Sequence, residues 1–260
     1  MSSNRLFLIV ILLFSAMQIN AQPEPYRYKC KKIDSSTDLE NNFIKKSVWE
    51  KTDPISDFVD LATGEAAPLL TRAKMLRSDS CLYILVEMET EHLWATLTEN
   101  ETRVYLDNAV ELFFDPDGDG LNYVEFQINA LSTTWDILMP KPYRNGGDAV
   151  SCYDMRGVQK KIELDGTLND PSDKDKGWNV ALVIPFENFR GLCSGSPYPK
   201  AGHEWRINIA RVNWNLLIKN GKYKKVPNPK TEKEKRSFWV WRPHGEINMH
   251  MPEMFGTVVF

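Results

Sequence analysis

The stretch DNAVELFFDPDGDGLNYVEFQINAL, residues 107–131, reads as two strands joined by an acidic, glycine-containing turn. Side chains alternate across a strand with a period of two. Val110, Leu112 and Phe114 therefore share one face of the first arm, and Ala109, Glu111 and Phe113 share the other. In the second arm Val124, Phe126 and Ile128 oppose Tyr123, Glu125, Gln127 and Asn129. One face of this hairpin is apolar, and the other carries a tyrosine, a carboxylate and two amides in a row. A solvated strand face is ordinarily a loose mixture of Lys, Thr, Ser and Glu; this row suits a ligand rich in hydroxyls.

The same alternation recurs on both sides of the hairpin. LLTRAKMLR and CLYILVEME, separated by Ser78-Asp79-Ser80, form a predicted hairpin whose second arm is apolar enough to sit centrally in a sheet. Upstream of them, Trp49 is a predicted core plug. EHLWATLTENETRVY reads as a long connection, STTWDILM as a strand entering a proline and glycine loop, and YDMRGVQKKIELDGTL as a polar strand pair. In WNVALVIP the residues Trp178, Val180, Leu182 and Ile184 share a buried face. In EWRINIARVNW the polar side offers the amide of Asn208 beside Arg206. The charged run KNGKYKKVPNPKTEKEKRS is most simply a solvated loop, with contact to a polyanion as the other reading. Many short strands with turn signals and hardly any helical period predict an all-β protein, an antiparallel β-sandwich whose two sheets pack apolar inner faces. The polar rows then lie on a concave outer face or at an edge.

A chain of 260 residues with 42% hydrophobic content can bury a sizeable core. Residues 1–21 stand apart: Arg5 precedes the apolar run LFLIVILLF, and Ile19-Asn20-Ala21 resembles a cleavage site, so this segment reads as a secretory signal peptide too short to span a bilayer. Residues 22–260 then form a single exported domain, periplasmic or extracellular, with no transmembrane segment. Arg5 is the one charged residue removed, which moves the formal charge from −3 to about −4 and makes nucleic acid a poor partner. Cys30, Cys81, Cys152 and Cys193 all remain in an oxidising compartment, where three pairings are open, and their spacing matches no zinc pattern.

The ordered set TRAKML, LYILVEME, DNAVELFFDPDGDG, YVEFQINAL, GWNVALVIPFENF, EWRINIARV and PEMFGTVVF resembles the family nine carbohydrate-binding modules, from about Trp49 to Phe260. The resemblance implies a jelly-roll-like β-sandwich, non-catalytic binding of an oligo- or polysaccharide, and structural calcium. It also implies a sugar held between two aromatic side chains and bonded by polar groups. By motif, the first aromatic falls at Tyr105 and the carboxylate at Glu111, with Gln127 and Asn129 on the partner strand and Asn208 on a further polar face. Where the second aromatic stands in the family, this sequence has Asn248-Met249-His250. His250, or Trp239 and Trp241 on one strand face, are the candidates to replace it. A separate glycoside hydrolase is the partner such a module would serve.

Asp115, Asp117 and Asp119 alternate before Gly120 like the opening of an EF-hand loop. The closing glutamate is missing, since Glu125 falls one residue short and strands flank the turn; a looser oxygen-ligated calcium site or a plain acidic turn remains. Two rival classes stand beside sugar binding. Glu111 and Glu125 are a carboxylate pair of the kind a glycosidase needs. Met249, His250 and Met251 offer non-covalent haem ligands.

Overall fold

The computed structural model describes residues 26–33, 46–228 and 235–260. The signal-peptide reading of residues 1–21 lies outside them. Two sheets face each other. The larger, eight-stranded sheet runs Arg27–Lys29 (β1), Gly256–Val259 (β15), Glu204–Trp214 (β11), Ala109–Asp115 (β6), Tyr123–Asn129 (β7) and Thr134–Met139 (β8), with Arg236–Val240 (β14) also on β11 and Val59–Asp60 (β3) on β14. The second sheet runs Lys31–Lys32 (β2), Thr71–Arg77 (β4), Cys81–Glu89 (β5), Gly177–Pro185 (β10) and Gln159–Asp165 (β9). The expected β-sandwich is present, and β5 is central as its apolar sequence requires.

Alternation decides which side chains enter the space between the sheets. Val110, Leu112, Phe114, Val124, Phe126, Ile128, Ile207 and Ile209 come from one sheet, and Leu82, Ile84, Val86, Trp178, Val180, Leu182 and Ile184 from the other. Each such side chain contributes roughly 1.5–3 kcal/mol by leaving water. At one end Trp205 packs edge-on against Phe189, with ring centroids 4.8 Å apart, and against Phe260 at 5.1 Å. A short helix, Lys46–Trp49 (α1), covers the outer face of the second sheet, and Trp49 is buried there with Leu76, Tyr83 and Val183.

Four local readings change. The sheets are mixed, because β1 pairs β15 and β2 pairs β4 in parallel: one N-terminal segment crosses from sheet to sheet and adds an edge strand to each. YDMRGVQKKIELDGTL supplies one strand, β9, which is an exposed edge and needs no second polar partner. The start of the charged run is the turn and second arm of a two-stranded ribbon, Leu216–Lys219 (β12) and Lys222–Lys225 (β13), turning at Asn220 and Gly221, both at positive φ, while its residues 229–234 lie outside those described. Trp239 and Trp241 do share a face, and it is the core face. Cys30 is buried and its thiol is pushed up to about 12 by burial, while Cys152 is exposed and Cys193 half-buried.

Trp241 leaves no space for a side chain opposite it. A Cβ on Gly256 would lie 2.6 Å from the indole ring. Gly256→Ala is expected to destabilise the fold by about 1–3 kcal/mol through overpacking. Urea unfolding reads this as a lower midpoint, and an unchanged midpoint would contradict the packing described.

Candidate functional site

The outer face of the larger sheet holds the polar row. Register places Ala210, Glu111, Gln127 and Trp135 side by side across β11, β6, β7 and β8, with Asn208, Phe113, Glu125 and Ile137 in the adjacent row. β14 extends the same face, since Arg236 pairs Trp214 and Phe238 pairs Val212. Above this surface lies a cavity of about 670 Å³. Glu111, Glu125 and Gln127 line its floor; Tyr105, Trp135, Tyr143, Arg103, Arg236, Phe238 and His250 contribute to its walls.

Tyr105 reaches the cavity because the long connection before it is tied down. Asp107, fully buried, accepts hydrogen bonds from the amides of Thr96 (2.7 Å) and Leu97 (2.8 Å) and from Asn129 Nδ2 (3.0 Å). A 3-10 turn, Val104–Leu106, then presents Tyr105, whose amide donates to Gln127 Oε1 at 2.8 Å and whose carbonyl accepts from Trp214 Nε1 at 3.0 Å. The backbone of Tyr105 thus does the structural bonding and its ring faces the cavity, 6.0 Å from the Trp135 ring. Across the mouth, Tyr143 meets His250 edge to face at 4.5 Å.

The floor is a hydrogen-bonded chain. Gln127 Nε2 donates to Glu111 Oε1 at 3.2 Å and also to Glu125 Oε1. Glu125 Oε2 lies 3.5 Å from His250 Nε2, and His250 Nδ1 is 3.0 Å from the Tyr123 hydroxyl. Burial holds the Glu111 carboxyl well above the usual carboxylate range, with the charge of Glu125 adding to it and Arg236 opposing. Glu125 is raised to about 7, again by burial, against the hydrogen bond from Gln127. His250 is lowered to about 4 by burial, which disfavours its charged form, and the charge of His244 acts the same way. At neutral pH Glu111 and His250 are therefore held uncharged, Glu125 stands between its protonated and ionised forms, and the charged groups of the walls are Arg103 and Arg236.

Tyr105, Glu111, Gln127 and His250 are brought together, with Glu125. Asn129, Asn208 and Trp241 are not. Asn129 donates to Leu97 O and accepts from the amides of Leu131 and Thr133, so it pins loops. Asn208 bonds His244 Nε2 at 3.3 Å beneath the cavity, and its Oδ1 has no partner. Trp241 is core. Trp135, Tyr143, Arg103, Arg236 and Phe238 escape the sequence reading. Trp135 could have been found from the register opposite Gln127, and Arg236 and Phe238 from the outward phase of RSFWV; Tyr143 sits in a loop with no periodic signal.

The acidic turn gathers Asp115, buried, with Asp117 and Asp119, exposed; one carboxylate oxygen of each lies within 4.8 Å of the others. Asp115 accepts from the amides of Gly118 and Gly120, both at 3.0 Å, and burial raises it to about 6. Three hard oxygen donors at this spacing fit calcium, whose ligands stand 2.3–2.6 Å from the ion.

The family described as carbohydrate-binding family 9 matches residues 68–198. Among solved structures, a candidate carbohydrate-binding protein of Bacteroides uniformis ATCC 8492 superposes with a TM-score of 0.61 at 18% identity, covering 90% of this chain and 98% of that one. A family 9 carbohydrate-binding module of Caldicellulosiruptor kristjanssonii in complex with cellotriose gives 0.53 at 14% identity, covering 90% and 92%. The same organism's module in complex with glucose gives 0.51 at 14%, covering 90% and 94%. No curated protein sequence matches the chain.

Proposed function

We propose, from the premise that this chain belongs to carbohydrate-binding family 9, that its cavity binds a glycan without cleaving it. The observation that carries the reading is the joint placement of Tyr105, Glu111 and Gln127: a flat ring beside a floor of carboxyl and amide groups. Sugar rings have polarised C–H faces that stack on aromatics, and hydroxyls that both donate and accept. The structural relatives in complex with cellotriose and glucose support a sugar as the ligand class.

Glu111 and Glu125 bond the same amide nitrogen, so they stand side by side on one floor. A glycosidase pair instead flanks the scissile bond. Both ring nitrogens of His250 face partners within the protein, Tyr123 and Glu125, which argues for a neutral wall residue over a haem ligand. A glycan array probed with the mature protein and with Tyr105→Ala tests the assignment. Binding lost in the variant supports it, and a wild-type protein that captures no glycan refutes it.

The wider setting follows the same reading. Residues 1–21 direct export, and the module holds a polysaccharide for a separate glycoside hydrolase. Asp115, Asp117 and Asp119 hold a structural calcium ion that would offset the repulsion of their clustered charges. At free calcium tenfold above the dissociation constant the ion contributes about 1.4 kcal/mol. A chelator is therefore expected to lower Tm by several degrees, with recovery on adding calcium. Equal Tm in both conditions would leave only an acidic turn.

A further inference from the structure

Two guanidinium groups border the cavity without a hydrogen-bonded or ion-paired partner among the described residues. Arg103 lies exposed on the wall. Arg236 is half-buried, with its guanidinium 5.3 Å from the Tyr105 ring centroid, 5.1 Å from that of Trp214 and 4.8 Å from that of Phe238. Stacking on rings uses the faces of a guanidinium and leaves its edge N–H donors unspent. Among the described residues, neither arginine has a hydrogen-bonded or ion-paired partner, although other exposed arginines do, such as Arg144 on Glu253 and Arg27 on Glu204.

Positive charge continues outward from the cavity. Beyond Arg236, Trp214 carries Lys225 Nζ at 3.8 Å over its ring, and the same ammonium is 5.4 Å from the Trp94 ring. Rings and cations thus alternate from Tyr105 to Trp94. Lys225 belongs to the β12–β13 ribbon, which also bears Lys219, Lys222 and Lys224. This track is basic on a chain whose formal net charge is −3. The cavity floor cancels it only in part, because burial favours the uncharged carboxyl of Glu111.

A neutral sugar would find enough partners in the amide and carboxyl groups of the floor. Two unpartnered guanidinium groups at the same mouth add a different capacity, the bidentate grip on a planar or tetrahedral oxyanion. We propose that the ligand is an acidic glycan, whose carboxylate or sulfate groups are bound by Arg103 and Arg236 while a sugar ring lies on Tyr105. This inference rests on the carbohydrate-binding reading and narrows it.

The test is calorimetric titration of the mature protein with an oligouronate, with the same oligosaccharide after reduction of its carboxyl groups to alcohols, and with a sulfated oligosaccharide of similar length. At least one acidic ligand is expected to bind tenfold or more tighter than the carboxyl-reduced chain, and to lose that margin in 0.5 M salt. Which acidic ligand binds separates carboxylate from sulfate. Arg103→Gln and Arg236→Gln are each expected to reduce severalfold the ratio of acidic-chain to neutral-chain affinity, whatever either variant does to the neutral chain alone. Arg103 is exposed, so its variant remains informative if Arg236→Gln disturbs the packing on Trp214. Neutral and acidic chains bound equally, or a preference untouched in both variants, would overturn the acidic-glycan inference and leave sugar binding standing. Failure of every glycan would overturn both.

Discussion

Replacing both Tyr105 and Tyr143 with alanine is expected to weaken glycan binding at least a hundredfold, about 3 kcal/mol. Each ring offers one wall of the cavity, and removing one stacking surface costs on the order of 1–3 kcal/mol when no water-filled substitute forms. Stability should barely move. The structural work of Tyr105 is done by its amide and carbonyl, which alanine keeps. Tyr143 is 46% exposed. Isothermal titration of the single and double variants, with thermal melts of the same samples, checks both halves. A double variant that binds like wild type would remove the aromatic walls from the account. One that fails to fold would show that the rings serve the core.

The second large effect concerns protons on the floor. Glu125 has its folded-state pKa raised to about 7 by burial. The folded protein therefore holds this proton more tightly than the unfolded chain does, so the contribution of Glu125 to stability falls as pH rises from the ordinary carboxylate range to about 7. Glu125→Gln keeps the shape and the acceptor for Gln127 and removes the charge. At pH 4 the variant and wild type should melt together. At pH 8 the variant should be more stable by on the order of 3 kcal/mol, roughly 6–12 °C in Tm for a chain of this size. His250 acts with the opposite sign, since its lowered pKa adds stability as pH rises from about 4 towards the ordinary histidine value. His250 touches Glu125, so the comparison is read at pH 8, where the imidazole is neutral in both proteins. A difference in Tm that stays flat between pH 4 and 8 would show that Glu125 is not desolvated.

Strand phase made much of this molecule legible. Period-two alternation separated Val110, Leu112 and Phe114 from Glu111, and placed Glu111, Glu125 and Gln127 together, because a strand gives its side chains only two directions. Phase does not say what covers a face. The row on β6 and β7 reads as open to a concave surface, yet Glu111 is 3% exposed, with Gln127, Glu125 and Arg236 beside it. The same gap explains Asn129 and Asn208: their strand face could be read, but not the loop carbonyl and the histidine that take their hydrogen bonds. Trp241 illustrates the converse. It follows β14, whose alternation sets Trp239 and Trp241 against Arg236 and Phe238, and the two tryptophans take the core face. Tyr143 comes from a proline and glycine loop, where no periodicity exists and only tertiary folding sets the position.

The two carboxyl groups on the floor also make the central claim testable in one sample. Calorimetric titration of the mature wild-type protein with the glycan selected by the array, followed by a reducing-end assay on the contents of the same cell, asks whether the sugar is held or cut. Saturable binding is expected, with no new reducing ends after prolonged incubation. Release of reducing ends by wild type, abolished in Glu111→Gln while binding persists, would contradict it and make Glu111 and Glu125 the groups of a hydrolase.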